Sequence, residues 1–194
     1  SLWFLQELAP SSVAYNVRGA LRSPRPLDLP DLESRVLGIA RRHPILCARF
    51  VQGDQGPIQR IEPDPRLPVA DLAVLPGELA RRLDEEADRP FALAGEPPVR
   101  VQLFRTGTDT VVQVVAHHIA VDFWSLEILL SELRGTGSPV DPAPYSRFVR
   151  WQEALLSGPE GERLGAEWER ELTPPVPPLD LPIDRPRPAV QRFE

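Results

Sequence analysis

Lysine and methionine are absent from this chain, and cysteine occurs once, as Cys47. All 22 basic residues are therefore arginine, and against 28 acidic residues they leave a net charge of −6. An acidic chain without a dense basic run lacks the footprint that phosphate-backbone binding requires, so a nucleic-acid partner is excluded. One cysteine rules out an internal disulfide and any cysteine-rich zinc site, which makes a reducing, cytoplasmic setting the expectation. No apolar stretch approaches the ~18–20 residues that span a bilayer, and the first residues do not form a signal-peptide pattern, so no membrane partner is expected. Also missing are a Gly-x-Gly-x-x-Gly turn, a phosphate-binding loop, a Gly-x-Ser-x-Gly elbow and a calcium-loop pattern. What remains is 194 residues, 42% apolar, enough for one domain with a full core or two small ones. A chain that opens on Ser1 without any methionine reads as a piece of something longer.

Proline is plentiful, at 24 residues, and seven of these fall between Pro174 and Pro188. That stretch is expected to be extended and semi-rigid, crossing from one body to another. Upstream there is no internal repeat. Leu2 to Leu8 reads as a short helix ending before Pro10, and Ala14 to Leu21 as a strand. Asp28 or Asp31 can cap a helix running to about Arg42, with Leu32, Val36, Ile39 and Ala40 on one face. Pro44 ends it. Ile45 to Val51 reads as a strand, Gly53 to Gly56 as a turn, and Ile58 to Ile61 as the hairpin partner.

After a proline-interrupted stretch, Pro76 to Ala87 is patterned as a helix burying Leu79, Ala80, Leu83 and Ala87. Val99, Val101 and Leu103 alternate with Arg100 and Gln102, as in a half-buried strand. Val111 to Ala116 is apolar except for Gln113, as in a central strand covered on both faces. Phe123 to Leu133 reads as a helix facing inward through Leu126, Leu129, Leu130 and Leu133, with further helices near Tyr145–Leu156 and Glu160–Leu172. This order implies an α/β fold, a mixed β-sheet flanked by helices in a two-layer sandwich.

The chemistry concentrates in Ala116-His117-His118-Ile119-Ala120-Val121-Asp122-Phe123-Trp124-Ser125. Two of the three histidines sit where the most apolar strand gives way to a helix. Strand parity sends His117 and His118 to opposite faces, so they do not chelate one metal together. His118 can instead project into a cavity as a base or hydrogen-bond acceptor while Asp122 braces the turn. The plainer reading of the same residues is a satisfied core histidine and a helix-capping aspartate. Cys47 reads as a small apolar packing residue rather than a nucleophile. Trp151 and Trp168, each with an apolar neighbour four residues on, read as packing residues. Glu167, Glu169 and Glu171 alternate around a helix and do not make the carboxylate pair of a glycosidase.

The run HHIAVDFWS resembles the HHxxxDG motif of nonribosomal peptide synthetase condensation domains, which Trp-Ser follows in many members. Four more stretches fall in that family's order. Leu2-Trp3-Phe4-Leu5 with Ala14-Tyr15-Asn16 is similar to its opening "RLWFL…AYN". Arg42 to Phe50 is similar to "RHExLRTxF", Tyr145 to Gln152 to "YxDFAxWQ", and Leu181 to Pro188 to "LPxDRPRP".

The resemblance implies two chloramphenicol-acetyltransferase-like lobes in a V, with the active site in the tunnel between them. Residues 1–173 would form the N-terminal lobe and residues 174–194 the crossing segment toward a C-terminal lobe. Donor and acceptor carrier proteins would approach from opposite ends, each presenting a thioester on a phosphopantetheine arm, with no cofactor or metal bound by the domain itself. The acceptor amine would attack the donor thioester to form an amide. By matching position, His118 is the catalytic histidine, His117 and Asp122 hold the loop, and Phe123, Trp124 and Ser125 line the substrate channel. Alternatives within the resemblance are a catalytically silent domain that recruits carriers or tailoring enzymes, and an ester-forming acyltransferase. The arginine spots Arg41/Arg42 and Arg147/Arg150 read as solvated helix faces, with carrier docking as the second reading.

Three departures stand out. Phe123 occupies the family's glycine position and would narrow or close the space beside His118. Pro44 and Cys47 replace a glutamate and an arginine, the latter removing a potential ion pair for which Arg42 or Arg49 would have to compensate. The second lobe is absent from these residues, so the isolated half is expected to be inactive.

Overall fold

The computed structural model describes residues 2–23, 26–54, 56–107, 109–137, 143–177, 182 and 184–186. It divides into two compact units, residues 1–142 and 143–194. Most of the proline-rich segment expected over residues 174–194 lies outside the described residues.

The first unit is built on a four-stranded mixed sheet in the order β1 (Asn16–Ser23), β6 (Thr110–His117), β5 (Val99–Arg105), β4 (Val69–Ala73). β6 runs antiparallel to both neighbours, while β4 lies parallel to β5. A separate hairpin pairs β2 (Arg49–Gly53) with β3 (Gly56–Arg60). The expected mixed sheet flanked by helices is the architecture observed.

Strand alternation separates two faces. On one, Val17, Val99, Val101, Leu103, Val112, Val114 and Ala116 form a single core with helices α2 (Leu29–Arg42) and α4 (Phe123–Arg134). α2 buries Leu32, Val36, Ile39 and Ala40, the stripe legible from its spacing. α4 buries Leu126, Leu129, Leu130 and Leu133, also as patterned. Gly19 of β1 allows this packing, because a Cβ there would sit 2.7 Å from the Leu130 Cδ1. α4 stops where Gly135 takes up a left-handed φ of 81° and closes the helix with its amide.

The second face differs from expectation. The alternation of β5 predicts a half-buried strand, yet Arg100 is 5% exposed and Gln102 1% exposed. Helix α3 (Leu79–Ala87) accounts for part of this, laying its own groups on the polar side chains of the sheet. Gln113 Nε2 donates to the Leu83 carbonyl at 2.9 Å, and Asn16 Nδ2 to the Ala87 carbonyl at 2.7 Å. Amphipathic alternation here marks two covered faces of different polarity rather than one covered face and one wet one.

Other boundaries shift for local reasons. The strand expected from Ile45 begins only at Arg49, because Pro44 opens a 3₁₀ turn over Pro44–Cys47. Cys47 is therefore in a buried turn, not mid-strand. Asp28 occupies the N-cap position of α2, but its side chain makes no capping bond. Pro76–Glu78 form a second 3₁₀ turn before α3, and Ala80 faces solvent. β4 falls within the proline-interrupted stretch; as an edge strand it is held by β5 on one side only. Helix α1 (Leu2–Leu8) forms as expected and buries a single residue, Gln6.

In the second unit α5 (Tyr145–Leu156) and α6 (Pro159–Glu171) pack on each other. Neither buries a residue, and Trp151 and Trp168 are 58% and 65% exposed, contrary to their reading as packed. Trp151 nevertheless touches an aromatic neighbour, its ring centroid 5.6 Å from that of Phe148. Arg163 ties Glu160 and Glu167 along α6, so Glu167 is an ion-pair partner rather than half of a catalytic pair.

Candidate active site

β6 ends at His117, residues 118–120 turn, and α4 starts at Phe123. The backbone amides of this junction are pinned from both flanks. The His117 N–H donates to the Pro98 carbonyl and the His118 N–H to the Tyr15 carbonyl, each at 2.8 Å. Asp122 then performs the helix-capping role. Its Oδ1 accepts the Ser125 amide and the Ser125 hydroxyl, both at 2.7 Å. Those bonds, the hydroxyl's foremost, hold the Asp122 carboxyl below the usual carboxylate range. Ser125 thus has its hydroxyl proton committed to Asp122.

His117 is 1% exposed. Its Nδ1 accepts the Ile119 N–H at 3.0 Å, and since an amide can only donate, that nitrogen carries the lone pair. The ring proton is consequently on Nε2, which donates to Gln6 Oε1 at 3.1 Å. Gln6 in turn points its Nε2 at the carbonyls of Pro10, at 3.1 Å, and Phe91, at 3.5 Å. The Phe91 ring stands edge-on to His117, and the Arg100 guanidinium lies 3.8 Å over the centre of the Phe91 ring. Burial first, and the neighbouring His118 second, push His117 down to about 4. At neutral pH it is an uncharged strut.

His118 differs in every respect. Its side chain is half-buried, and its ring makes no hydrogen bond with the described residues. Phe123 stands edge-on to it, with ring centroids 6.4 Å apart and planes at 85°. Phe123 and Trp124 are 73% and 79% exposed. The junction therefore offers an imidazole whose nitrogens are unbonded among the described residues, flanked by aromatic surface and set on a turn whose amides are bonded from both flanks. Such a ring can take up or orient a proton on an incoming nucleophile.

The sequence-derived residues His117, His118, Asp122, Phe123, Trp124 and Ser125 thus lie at one place, split between support and display. Gln6, Phe91 and Arg100 were not identified from the sequence. For Gln6 a signal existed, a polar residue four positions after Leu2 on a short apolar helix. Among the described residues no group of three metal-ligating side chains occurs. Cys47 is 1% exposed, and burial pushes its thiol up to about 11, consistent with a packing role. Of the two arginines near it, Arg49 bonds the Cys47 carbonyl at 3.1 Å and Arg42 lies 3.6 Å from Glu132.

The family model described as "Condensation domain" matches residues 1–194. The chain is 37% identical over 210 residues to the chondramide synthase cmdD of Chondromyces crocatus, covering 99% of this chain and 5% of that protein. It is 34% identical over 212 residues to the phosphinothricin tripeptide synthetase PhsC of Streptomyces viridochromogenes, covering all of this chain and 19% of that one. The fold matches the crystal structure of the starter condensation domain of the rhizomide synthetase RzmA with a TM-score of 0.80 at 17% identity, over 91% of this chain and 47% of that one. The chain thus spans a small part of the synthetases it matches and about half of the solved domain.

Proposed function

The chain belongs to the condensation-domain family, and from that premise we propose that it supplies the catalytic N-terminal lobe of an amide-forming condensation domain. Residues 1–173 form that lobe and residues 174–194 lead toward the C-terminal lobe. The partners are a donor and an acceptor carrier protein, each presenting its acyl group as a thioester on a phosphopantetheine arm. The observation that carries the reading is the contrast between the histidines: His117 buried, neutral and bonded at both nitrogens, His118 half-buried with neither ring nitrogen bonded among the described residues.

In the reaction the acceptor amine attacks the donor thioester carbonyl. A C–N bond forms, the C–S bond breaks, and the thiolate of the donor arm leaves. The amine must shed a proton, which finally resides on the departing sulfur or in solvent. His118 serves this step through a ring lone pair, either by taking the proton or by accepting a hydrogen bond that aims the amine. Phe123 and Trp124 shape the approach to the ring, while Asp122 and Ser125 hold the turn that presents it.

The test is His118→Ala in the full-length synthetase, with loaded donor and acceptor carriers and dipeptidyl-carrier formation as readout. A general base or positioning residue is worth roughly 10²–10⁴-fold, so product is expected to fall to background while folding is retained. Product near the wild-type rate with carrier binding intact would instead identify a recruiting domain. Exchanging the amine acceptor for a hydroxyl acceptor separates amide from ester formation.

A further inference from the structure

Gln6 is the one buried residue of α1, and 111 positions separate it from the ring it touches. Its primary amide is used in both directions. The two amide hydrogens face the carbonyls of Pro10 and Phe91, which fixes the flip of the group and leaves Oε1 directed at His117 Nε2. On the opposite side of the His117 ring, Nδ1 is taken by the amide of Ile119, the residue that immediately follows His118. The Gln6 amide and the Ile119 N–H thus favour the same tautomer of His117 from opposite sides of the ring, and that tautomer alone can receive the Ile119 N–H. If the proton moved to Nδ1, two donors would face each other and the 118–119 peptide would have to rotate. His118 sits on that peptide, and its own amide is already bonded to Tyr15.

We propose that Gln6 is a positioning residue for the amide-forming reaction: by holding His117 in its Nε2–H form it fixes the peptide that aims the His118 ring. The inference rests on the reading of His118 as the catalytic histidine. Gln6 touches neither substrate nor reacting atoms; its effect passes through His117 and the Ile119 amide. An aliphatic residue of equal volume would fill the same space in α1 but leave the buried His117 Nε2–H without its acceptor, so that the Ile119 amide alone would hold the ring.

The full-length synthetase carrying Gln6→Met tests this, since Met keeps the volume and removes both polar functions. Misplacing a reacting group by about 1 Å can cost on the order of 10²-fold, so kcat is expected to fall ~10–100-fold. KM for the loaded carriers should stay within about twofold, because the carriers' contacts are untouched. His117→Asn should be slow as well, and the double variant no slower than His117→Asn alone, the non-additivity of residues acting as one unit. Turnover of Gln6→Met within twofold of wild type, or penalties that multiply in the double variant, overturns the proposal.

Should Gln6→Met fail to fold, the wild-type protein decides. In histidine-¹⁵N-labelled protein, with the His117 signal assigned by its loss in His117→Asn, a neutral Nε2–H ring at pH 7 is expected, and an Nδ1–H ring or an imidazolium overturns the proposal. His118→Ala run alongside separates the two failures. If that variant keeps its turnover, the catalytic reading falls and the positioning role with it, whereas background turnover with an unaffected Gln6→Met removes the positioning role alone.

Discussion

His43 Nε2 lies 2.9 Å from Glu132 Oε1, joining the end of α2 to the last turns of α4. Arg42 Nη2 stands 3.6 Å from the same oxygen, and the Glu132 side chain is only 5% exposed. Its other oxygen, Oε2, is buried without a hydrogen-bond partner among the described residues. A buried carboxylate in this position is held by its cationic and imidazole neighbours, and those neighbours are in turn oriented by it.

Glu132→Ala therefore takes away the carboxylate that His43 bonds and that Arg42 faces, leaving a cavity beside His43, and the expected loss is about 1–3 kcal/mol of stability. Glu132→Gln keeps an acceptor for His43 and should lose less. Denaturant midpoints of the intact domain measure both. Equal midpoints for wild type and Glu132→Ala would show that the helices do not depend on this contact. Because α4 carries the turn of His118 at its other end, a loosened α2–α4 junction should also raise hydrogen exchange along α4.

The burial of His117 makes stability depend on pH in a definite direction. The ring titrates at about 4 in the folded protein against an ordinary value of 6.5. Above pH 6.5 neither folded nor unfolded chain protonates it, and it contributes no slope. As the pH falls through 6.5 the unfolded chain takes up a proton that the folded one refuses, so stability declines until about pH 4 and levels off below. Between pH 6.5 and 5 the loss from this ring alone is about 1.5 kcal/mol. The measurement is the difference in that slope between wild type and His117→Gln. Parallel slopes would mean that the folded protein accepts the proton, contrary to a ring whose Nδ1 is pinned by the Ile119 amide.

What could be read from the chain without coordinates follows from how local the cause is. The buried stripe of α2, the four leucines of α4 and the apolar run of β6 are fixed by periodicity within one element, and each emerges as patterned. Asp122 as N-cap is likewise a three-residue affair with Ser125. Causes that act across the chain were not legible. Gln6 acquires its role only when α1 meets the end of β6. Arg100 and Gln102 look solvent-facing until α3 and Phe91 cover them. β4 carries little strand signal of its own because a parallel partner about 30 residues downstream organises it. Around the motif, the displayed residues and the supports within it, His117 and Asp122, were visible, and the supports from distant elements, Gln6, Phe91 and Arg100, were not.

Phe123 offers the sharpest functional prediction. It is 73% exposed and edge-on to His118, at the position where the family pattern has glycine. Its removal should cost little stability, since an exposed ring buries little area and glycine at a helix start is penalised by less than about 1 kcal/mol. Phe123→Gly should instead widen the space beside the imidazole. Steric discrimination in an apolar channel is worth roughly 1–3 kcal/mol per group, so the kcat/KM ratio of a bulky to a small acceptor aminoacyl group should rise at least about fivefold. Competition between the two loaded acceptor carriers, with amide products quantified by mass spectrometry, gives that ratio directly. A proportional gain for both acceptors would make the ring a plug on the site rather than a selector. An unchanged ratio with unchanged rates would place the acceptor path away from Phe123 altogether, and with it the assignment of the aromatic surface beside His118 as channel wall.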